Sequence, residues 1–269
     1  VIYAMISGAS VGKLFMGGIV PAIILCVVMG LYTYFISRKR NYPIGDKVRL
    51  KDFLKSTVKA TPALLTPVIL MVGIYSGIIT PTEAAAVAAC YALLIGILVY
   101  RTLSFQSFLR VLVNTIRTTG VIFLIIAGAY GFSFIIASEQ VSHAVVDAIS
   151  GIIKTPWQFL IIVNILFLIL GSLVDVNVSE LVFLPIIMPL FHYYHIDLVH
   201  FGVMICLNMM IGLLTPPFGM LLFITAGIGK IPLKDVIKET VPFILMQLVA
   251  LIIITYVPAT VWFLSQLVK

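Results

Sequence analysis

Long runs of apolar residues, separated by short polar segments, dominate this sequence of 269 residues. Several runs approach or reach about 20 residues, the length at which an α-helix crosses the hydrocarbon of a bilayer. The predicted spans are residues 14–36, 63–79, 84–100, 121–137 and 241–263. Hydrophobic residues make up 62% of the chain and charged residues 10%, too few to cover a water-soluble domain. We therefore predict an all-α polytopic membrane protein.

The basic residues lie in short segments between these spans. Fourteen of the 17 Lys and Arg residues fall within residues 38–59, 101–117 and 230–238. Loops rich in Lys and Arg stay in the cytoplasm, so we place these three segments on that side. The net charge of +7 then reflects orientation in the membrane and not nucleic-acid binding. Residues 103–118 are amphipathic and are predicted to lie along the cytoplasmic face.

Residues 157–229 contain the polar groups that are most costly in a membrane. Residues 174–180 read Val-Asp-Val-Asn-Val-Ser-Glu between two apolar arms, and residues 215–219 read Thr-Pro-Pro-Phe-Gly inside the next apolar run. Polar breaks are tolerated in lipid only where the backbone lines a cavity or an ion path. The nine residues 181–189 are too few to cross. We therefore predict a re-entrant helical hairpin, followed by a transmembrane helix broken at Thr215.

These two breaks predict a binding site. Pro216 and Pro217 remove two amide donors and free carbonyl groups near the middle of the membrane, and freed carbonyls coordinate Na⁺ in secondary transporters. The predicted Na⁺ ligands are Asp175, Gly212, Thr215 and Pro216. The predicted substrate contacts are Asn177, Ser179, Asn208 and Pro217. Asn208 would serve equally as a helix-packing amide, and an ordinary surface loop with a proline kink is the alternative for the whole set.

The two ends of the chain are weakly similar at a shift of 221 residues. Gly8 aligns with Gly229, and Pro21 aligns with Pro242. The two segments have opposite predicted orientations, which is typical of the inverted repeats of secondary transporters. Chance similarity between apolar helices is the alternative. The repeat predicts that Val1 continues a first repeat whose own hairpin and broken helix lie upstream.

These features predict six regions along the chain. Residues 1–8 are the tail of a first broken helix in the transport domain, and residues 9–59 are a scaffold span with the basic loop. Residues 60–118 form scaffold or arm helices, and residues 119–156 a linking span with a periplasmic segment. The transport domain continues over residues 157–229, and residues 230–269 form a cytoplasmic segment and the last span.

Other candidate motifs have structural explanations. The Thr-Pro-Thr-Glu sequence of residues 80–83 predicts a capping box that begins a helix, so Glu83 is not expected to carry protons. His192, His195 and His200 fit a solvated loop better than a zinc site. The sequence contains no nucleophile–base pairing, phosphate loop or nucleotide motif. We therefore expect a protein that is not an enzyme and is driven by an ion gradient or by another subunit.

Residues 12–21, 77–86, 199–202 and 211–219 together resemble the large membrane subunit of tripartite ATP-independent periplasmic (TRAP) transporters. The resemblance runs along essentially the whole chain. It implies an inverted-repeat, elevator-type transporter in the bacterial inner membrane that imports an organic anion with Na⁺. C4-dicarboxylates, sialic acid and other sugar acids are the expected substrates. The expected partners are a small four-helix membrane subunit and a periplasmic substrate-binding protein.

The resemblance also places the tip of the second hairpin at residues 175–179 and the break of its partner helix at residues 215–217. Two features depart from the family. The family's large subunit is longer than this chain and has a first hairpin with a Ser/Gly-rich tip. The tip of the family's second hairpin commonly reads Asp-Pro-Thr, where this chain has Asp-Val-Asn.

Two alternatives remain open: a Na⁺-coupled dicarboxylate or citrate symporter that needs no binding protein, and a non-transporting scaffold subunit.

Overall fold

The computed structural model describes residues 1–43, 45, 49–76, 79–140, 151 and 153–266. Over these residues the regular structure is helical throughout. The helices are α1 (Ile2–Ser7), α2 (Val11–Gly17), α3 (Ile19–Lys39), α4 (Leu50–Tyr75), α5 (Pro81–Leu94) with a π-helical end (Ile95–Val99), α6 (Phe105–Ser138), α7 (Pro156–Leu173), α8 (Val176–Tyr193), α9 (Leu198–Gly212), α10 (Met220–Gly229), α11 (Leu233–Tyr256) and α12 (Ala259–Ser265).

Six helical stretches of the described chain are long and apolar enough to cross a membrane. They are Val11–Lys39, Leu50–Tyr75, Pro81–Val99, Phe105–Ile136, Pro156–Leu173 and Leu233–Tyr256. Large apolar side chains cover their outer faces, among them Leu124, which is 76% exposed. Phe263, which follows the last stretch, is 74% exposed. Exposure of this kind is expected where lipid, and not water, surrounds a helix. The prediction of an all-α polytopic membrane protein is confirmed.

The chain divides into two compact units, of which the smaller is Asn41–Val121. In this unit α4 and α5 form an antiparallel pair. The Tyr91 hydroxyl donates to the Pro62 carbonyl, and the Tyr100 hydroxyl donates to the Lys59 carbonyl, each at 2.9 Å. The predicted capping box begins α5, where side chain and backbone of the first turn satisfy each other reciprocally.

The larger unit comprises Val1–Arg40 and Ile122–Lys269. Its core lies between α7, α8 and α9. The rings of Phe159 on α7 and Tyr194 just after α8 stack at 5.1 Å, and Phe191 lies 4.3 Å from Phe201 at the start of α9. Val174 and Asp175 alone join α7 to α8. The two helices therefore form an antiparallel hairpin, and α9 begins beside its open end.

Helices α3 and α11 pack against each other in opposite directions. A salt bridge joins Arg40 to Glu239 at 2.6 Å, and the rings of Tyr32 and Phe243 meet edge to face at 4.9 Å. Each helix follows a similar connection, because Gly8 after α1 and Lys230 after α10 both have positive φ, 73° and 52°. The antiparallel contact is the arrangement that an inverted repeat would produce. The repeat itself stays a prediction.

The bounds of α4 and α6 differ from those expected. Helix α4 begins at Leu50, so Lys51, Lys55 and Lys59 lie on a helix and not in a loop. Helix α6 runs without interruption from Phe105 to Ser138, so the amphipathic segment and the next span are one helix. A single interior glycine such as Gly120 costs only about 1 kcal/mol in a helix. The apolar residues on both sides outweigh that cost.

The last span and the second hairpin arm also differ. Helix α11 ends at Tyr256 and not at residue 263, because the chain turns at Val257 and Pro258 before the short α12. Helix α8 begins at Val176 and not at residue 181, and it is 18 residues long. The expectation that this arm is only nine residues long is wrong. Re-entry of the hairpin therefore depends on where its tip lies and not on the length of this arm.

Helices α7 and α9 run parallel and touch at two glycines. A Cβ atom built on Gly212 would lie 2.7 Å from the Cα and carbonyl carbon of Gly171 and 3.1 Å from the Ser172 nitrogen. These neighbours are backbone atoms that no rotamer change can move. The absence of both side chains is therefore what lets the two backbones meet.

We expect Gly212→Ala to destabilise the protein by about 1–3 kcal/mol, because the added methyl group overpacks a backbone contact. The matched control is Gly227→Ala on α10, where a Cβ would meet nothing within 4 Å. Replacing that helical glycine should leave stability unchanged or raise it slightly. Thermal denaturation in detergent compares the two variants. Equal melting temperatures would contradict the close crossing.

Candidate functional site

The hairpin tip and the helix break lie side by side. Because α7 and α9 run parallel and cross at Gly171 and Gly212, the end of α7 at Leu173 lies next to the end of α9. A cavity of about 380 Å³ opens between them. Its lining residues are Gly171, Ser172, Leu173, Val174 and Asp175 from the tip and Leu213, Phe218, Met220, Phe223 and Ile224 from the break and α10.

Asp175 forms the first turn of the second hairpin arm. Its Oδ1 accepts a hydrogen bond from the Asn177 amide at 2.9 Å, and its carbonyl accepts one from the Ser179 amide at 3.0 Å. This is N-capping by a carboxylate, which favours a helix start at once after the turn. Asp175 is half-buried and is the one residue with a formal charge among those that line the cavity.

The break between α9 and α10 leaves backbone carbonyls without helical partners. The Thr215 hydroxyl donates to the Ile211 carbonyl at 2.7 Å, and the Thr215 amide donates to the Gly212 carbonyl at 2.8 Å. Within the described chain, the carbonyls of residues 214–218 accept no backbone hydrogen bond. Carbonyls freed in this way are ligands for alkali cations.

The break lies level with the middle of α11. The His200 ring nitrogen Nε2 lies 2.9 Å from the Ile254 carbonyl, so the start of α9 lies beside the end of α11. From the break, α10 leads to the start of α11 and packs against that helix. Helix α11 is a candidate span of 24 residues, about 36 Å long. The hairpin tip therefore ends part of the way along a helix that is long enough to cross.

A polar cluster clamps α7 to α9 and α11. The Asn208 side-chain nitrogen donates to the backbone carbonyl of Asn164 at 2.8 Å and to its Oδ1 at 2.7 Å. The Asn164 side-chain nitrogen in turn donates to the Thr255 hydroxyl at 3.2 Å. The sequence prediction missed Asn164. Its signal was an isolated amide within the otherwise apolar middle of α7.

The predicted site residues do not all reach the cavity. Asp175 lines it, and Gly212 forms the crossing beside it. Asn208 lies in the α7–α9 interface with its amide bonded to Asn164, the packing arrangement that we left open. Ser179 is fully buried on α8, and its hydroxyl has no hydrogen-bond partner within the described structure.

The remaining predicted residues lie near the tip and break. Asn177 and Thr215 are half-buried, and Pro216 and Pro217 are exposed. Their roles as ligands stay predictions.

Two polar residues outside the predicted site are buried. His200, expected in a solvated loop, is 4% exposed on the first turn of α9, where the Asp197 carboxylate caps its amide. Glu180 is 6% exposed on α8 and lies 3.9 Å from the Cys206 sulfur of α9. The apolar sequence that follows each residue carries it into the core.

Comparison with known proteins identifies the family. Residues 1–260 match the family described as tripartite ATP-independent periplasmic transporter, DctM component. The sialic acid TRAP transporter large permease protein SiaM of Vibrio cholerae is 38% identical over 267 residues, covering 99% of this chain and 62% of that protein. The C4-dicarboxylate TRAP transporter large permease protein DctM of Pseudomonas aeruginosa is 38% identical over 259 residues, covering 96% and 61%.

A third relative carries another substrate in its name. The isethionate TRAP transporter permease protein DctMQ of Oleidesulfovibrio alaskensis is 37% identical over 267 residues, covering 98% of this chain and 42% of that protein. The chain thus spans about three-fifths of the two large permeases that it matches. It is a multi-pass protein of the bacterial inner membrane, and it belongs to the DctM family of TRAP transporter large permease subunits.

Proposed function

We propose that this chain contributes half of the binding site of a Na⁺-coupled importer of organic anions. The observation that supports the proposal most directly is the single cavity in which the hairpin tip and the broken helix meet. Asp175 lines it from the hairpin tip, and Phe218 lines it from the break. Sites of this construction hold ions and substrates near the middle of the membrane in secondary transporters.

The residues at the cavity fit a Na⁺ ion. Hard cations prefer oxygen ligands. Asp175 lines the cavity together with Phe218, whose carbonyl accepts no backbone hydrogen bond within the described chain. The C-terminal ends of α7 and α9 add the negative ends of two helix dipoles. The ion would supply the energy for transport as it moves down its gradient. We propose Asp175, Gly212, Thr215 and Pro216 as its ligands.

The same cavity offers a place for an anionic substrate. Helices α8 and α10 begin at its edge, and helix N-termini favour negative charge. The names of three relatives specify sialic acid, C4-dicarboxylates and isethionate, which are all organic anions. We propose a substrate of this class, with Asn177, Ser179, Asn208 and Pro217 as its contacts. The bond between Asn208 and Asn164 favours a positioning role for Asn208 over direct contact.

The proposed mechanism is of the elevator type. Helices α7, α8 and α9, held by the glycine crossing and the amide cluster, would move as one body with their bound ion and substrate. A periplasmic binding protein would deliver the substrate, and a small membrane subunit would complete the complex.

Asp175→Asn should abolish Na⁺-driven uptake or reduce it by at least about tenfold, because it removes the charge that holds the ion. Asparagine caps a helix as well as aspartate does, so the start of α8 should persist. The measurement is uptake into proteoliposomes, with the full-length permease and its partners, across a range of Na⁺ gradients.

The matched control is Asp235→Asn, an exposed carboxylate in the first turn of α11. We expect its uptake to equal that of the wild type. Normal uptake with unchanged Na⁺ dependence in the Asp175 variant would disprove the ligand assignment.

Asn164→Ala and Asn208→Ala should have partly overlapping effects, because both remove the hydrogen bond between the two side chains. Hydrogen bonds between membrane helices contribute about 0.6 kcal/mol on average and rarely more than 1.7. We therefore expect small losses of thermal stability, and a loss in the double variant that is smaller than the sum of the two single losses. If Asn208 instead binds substrate directly, Asn208→Ala will raise the apparent KM and Asn164→Ala will leave it unchanged.

Uptake should require the cognate periplasmic binding protein. Proteoliposomes that contain the membrane subunits alone should show no Na⁺-driven accumulation, and addition of the substrate-loaded binding protein should start it. A strong signal without any binding protein would favour the independent symporter that the sequence left open. If apolar substitutions are tolerated throughout the hairpin tip, the hypothesis of a non-transporting scaffold subunit would be favoured.

A further inference from the structure

The first turns of α4 carry a basic stripe opposite an apolar one. Lys51, Lys55 and Lys59 are spaced four residues apart, so they lie within about 80° of one another around the helix. All three are exposed. The other side of the same turns presents Leu50, Phe53 and Leu54, which are 73%, 59% and 54% exposed.

Nothing within the described chain covers the apolar stripe, and the threonine hydroxyls beside it are bonded within the helix. The Thr57 hydroxyl, which lies on that side, donates to the Phe53 carbonyl at 2.9 Å, and the Thr61 hydroxyl donates to the Thr57 carbonyl at 2.9 Å. Hydroxyls that are bonded in this way are tolerated beside hydrocarbon. An exposed apolar face that adjoins a row of lysines is typical of helices at the membrane interface.

These turns extend beyond the end of the neighbouring helix. The Tyr100 hydroxyl meets the Lys59 carbonyl, and Tyr100 and Arg101 follow the end of the α5 element. Residues 50–59 therefore project about 14 Å past that end. Helix α4 has 26 residues, or about 39 Å, against about 30 Å of hydrocarbon. The extra length and the three lysines favour a position of the projecting turns among lipid headgroups.

We propose that residues 50–59 of α4 form a binding site for anionic phospholipid. The ammonium groups of Lys51, Lys55 and Lys59 would contact headgroup phosphates. Leu50, Phe53 and Leu54 would lie along the acyl chains. A soluble polyanion would use the lysines and leave the apolar stripe in water, whereas an anionic lipid satisfies both stripes at once.

A second basic row in the chain provides a built-in comparison. Lys230, Lys234 and Lys238 have the same spacing in the sequence and are also exposed, but Lys230 precedes α11 and only the other two lie on that helix. Helix α11 turns its apolar side into the protein, where Val236 is 6% exposed, and Glu239 pairs with Arg40. The two lysines of α11 therefore adjoin no exposed apolar stripe on the same turns. This group of lysines should not retain a lipid.

The test is native mass spectrometry of the full-length permease in mild detergent, titrated with phosphatidylglycerol. Each lysine near an anionic surface contributes about fivefold to binding, so Lys51→Gln/Lys55→Gln/Lys59→Gln should weaken retention on the order of 100-fold. Lys230→Gln/Lys234→Gln/Lys238→Gln should bind like the wild type. Phe53→Ser/Leu54→Ser keeps the charges and should also weaken retention.

Further arms exclude other ligands. Phosphatidylcholine should bind no better to the wild type than to Lys51→Gln/Lys55→Gln/Lys59→Gln. Inorganic phosphate should not displace phosphatidylglycerol. Equal loss in both lysine variants would overturn the proposal, as would displacement by phosphate or full retention in the Phe53 variant. It would also fail if the small membrane subunit, once bound, covers these turns and excludes the lipid. None of these results depends on uptake, so they are independent of the proposed transport function.

Discussion

The close crossing of α7 and α9 is the contact on which the site depends. In lipid, apolar side chains gain little by meeting one another, so helices are held together by tight packing and by hydrogen bonds. Here two glycines let the backbones touch, and one turn and more away an amide pair fixes the register. Together they align the end of the hairpin arm with the end of the broken helix. Without that alignment the cavity would lose one of its two walls.

The electrostatics of the cavity come mainly from the backbone. No described Lys or Arg lines it, and Asp175 is its single formal charge. Two helices end at its edge and two begin there, which places partial charges of both signs around one space. Helix ends do not titrate, and they cannot swing away as long side chains do. In the proposed function, these fixed partial charges would add to the Asp175 carboxylate in holding the cation and would face the anion.

The turn at Asp175 and the break before Pro216 could be predicted from the sequence, because polar groups and prolines within apolar runs need a compensating environment. That the two together form a binding site stays a prediction. The start of α8 was not predicted, because the same polar residues that mark a break also cap a helix, and Asp175 does both. Asn164 was missed because one amide in an apolar helix has no partner until α9 is placed beside it. The continuity of α6 was missed because Gly120, a weak helix former, was interpreted as the end of a helix.

Helix α1 contacts α9 at a point distant from the candidate site. The Tyr3 hydroxyl donates to the Leu198 carbonyl at 2.6 Å, and its ring packs over Gly202 on α9. Helix α1 must therefore follow any displacement of the hairpin and the broken helix. Two short connections, residues 8–10 and residues 230–232, lead into α2 and α11, and each begins with a residue of positive φ. Because the preceding helix has already ended there, a change in these six residues would alter the angle between α1 and α2, or between α10 and α11, without breaking a helix.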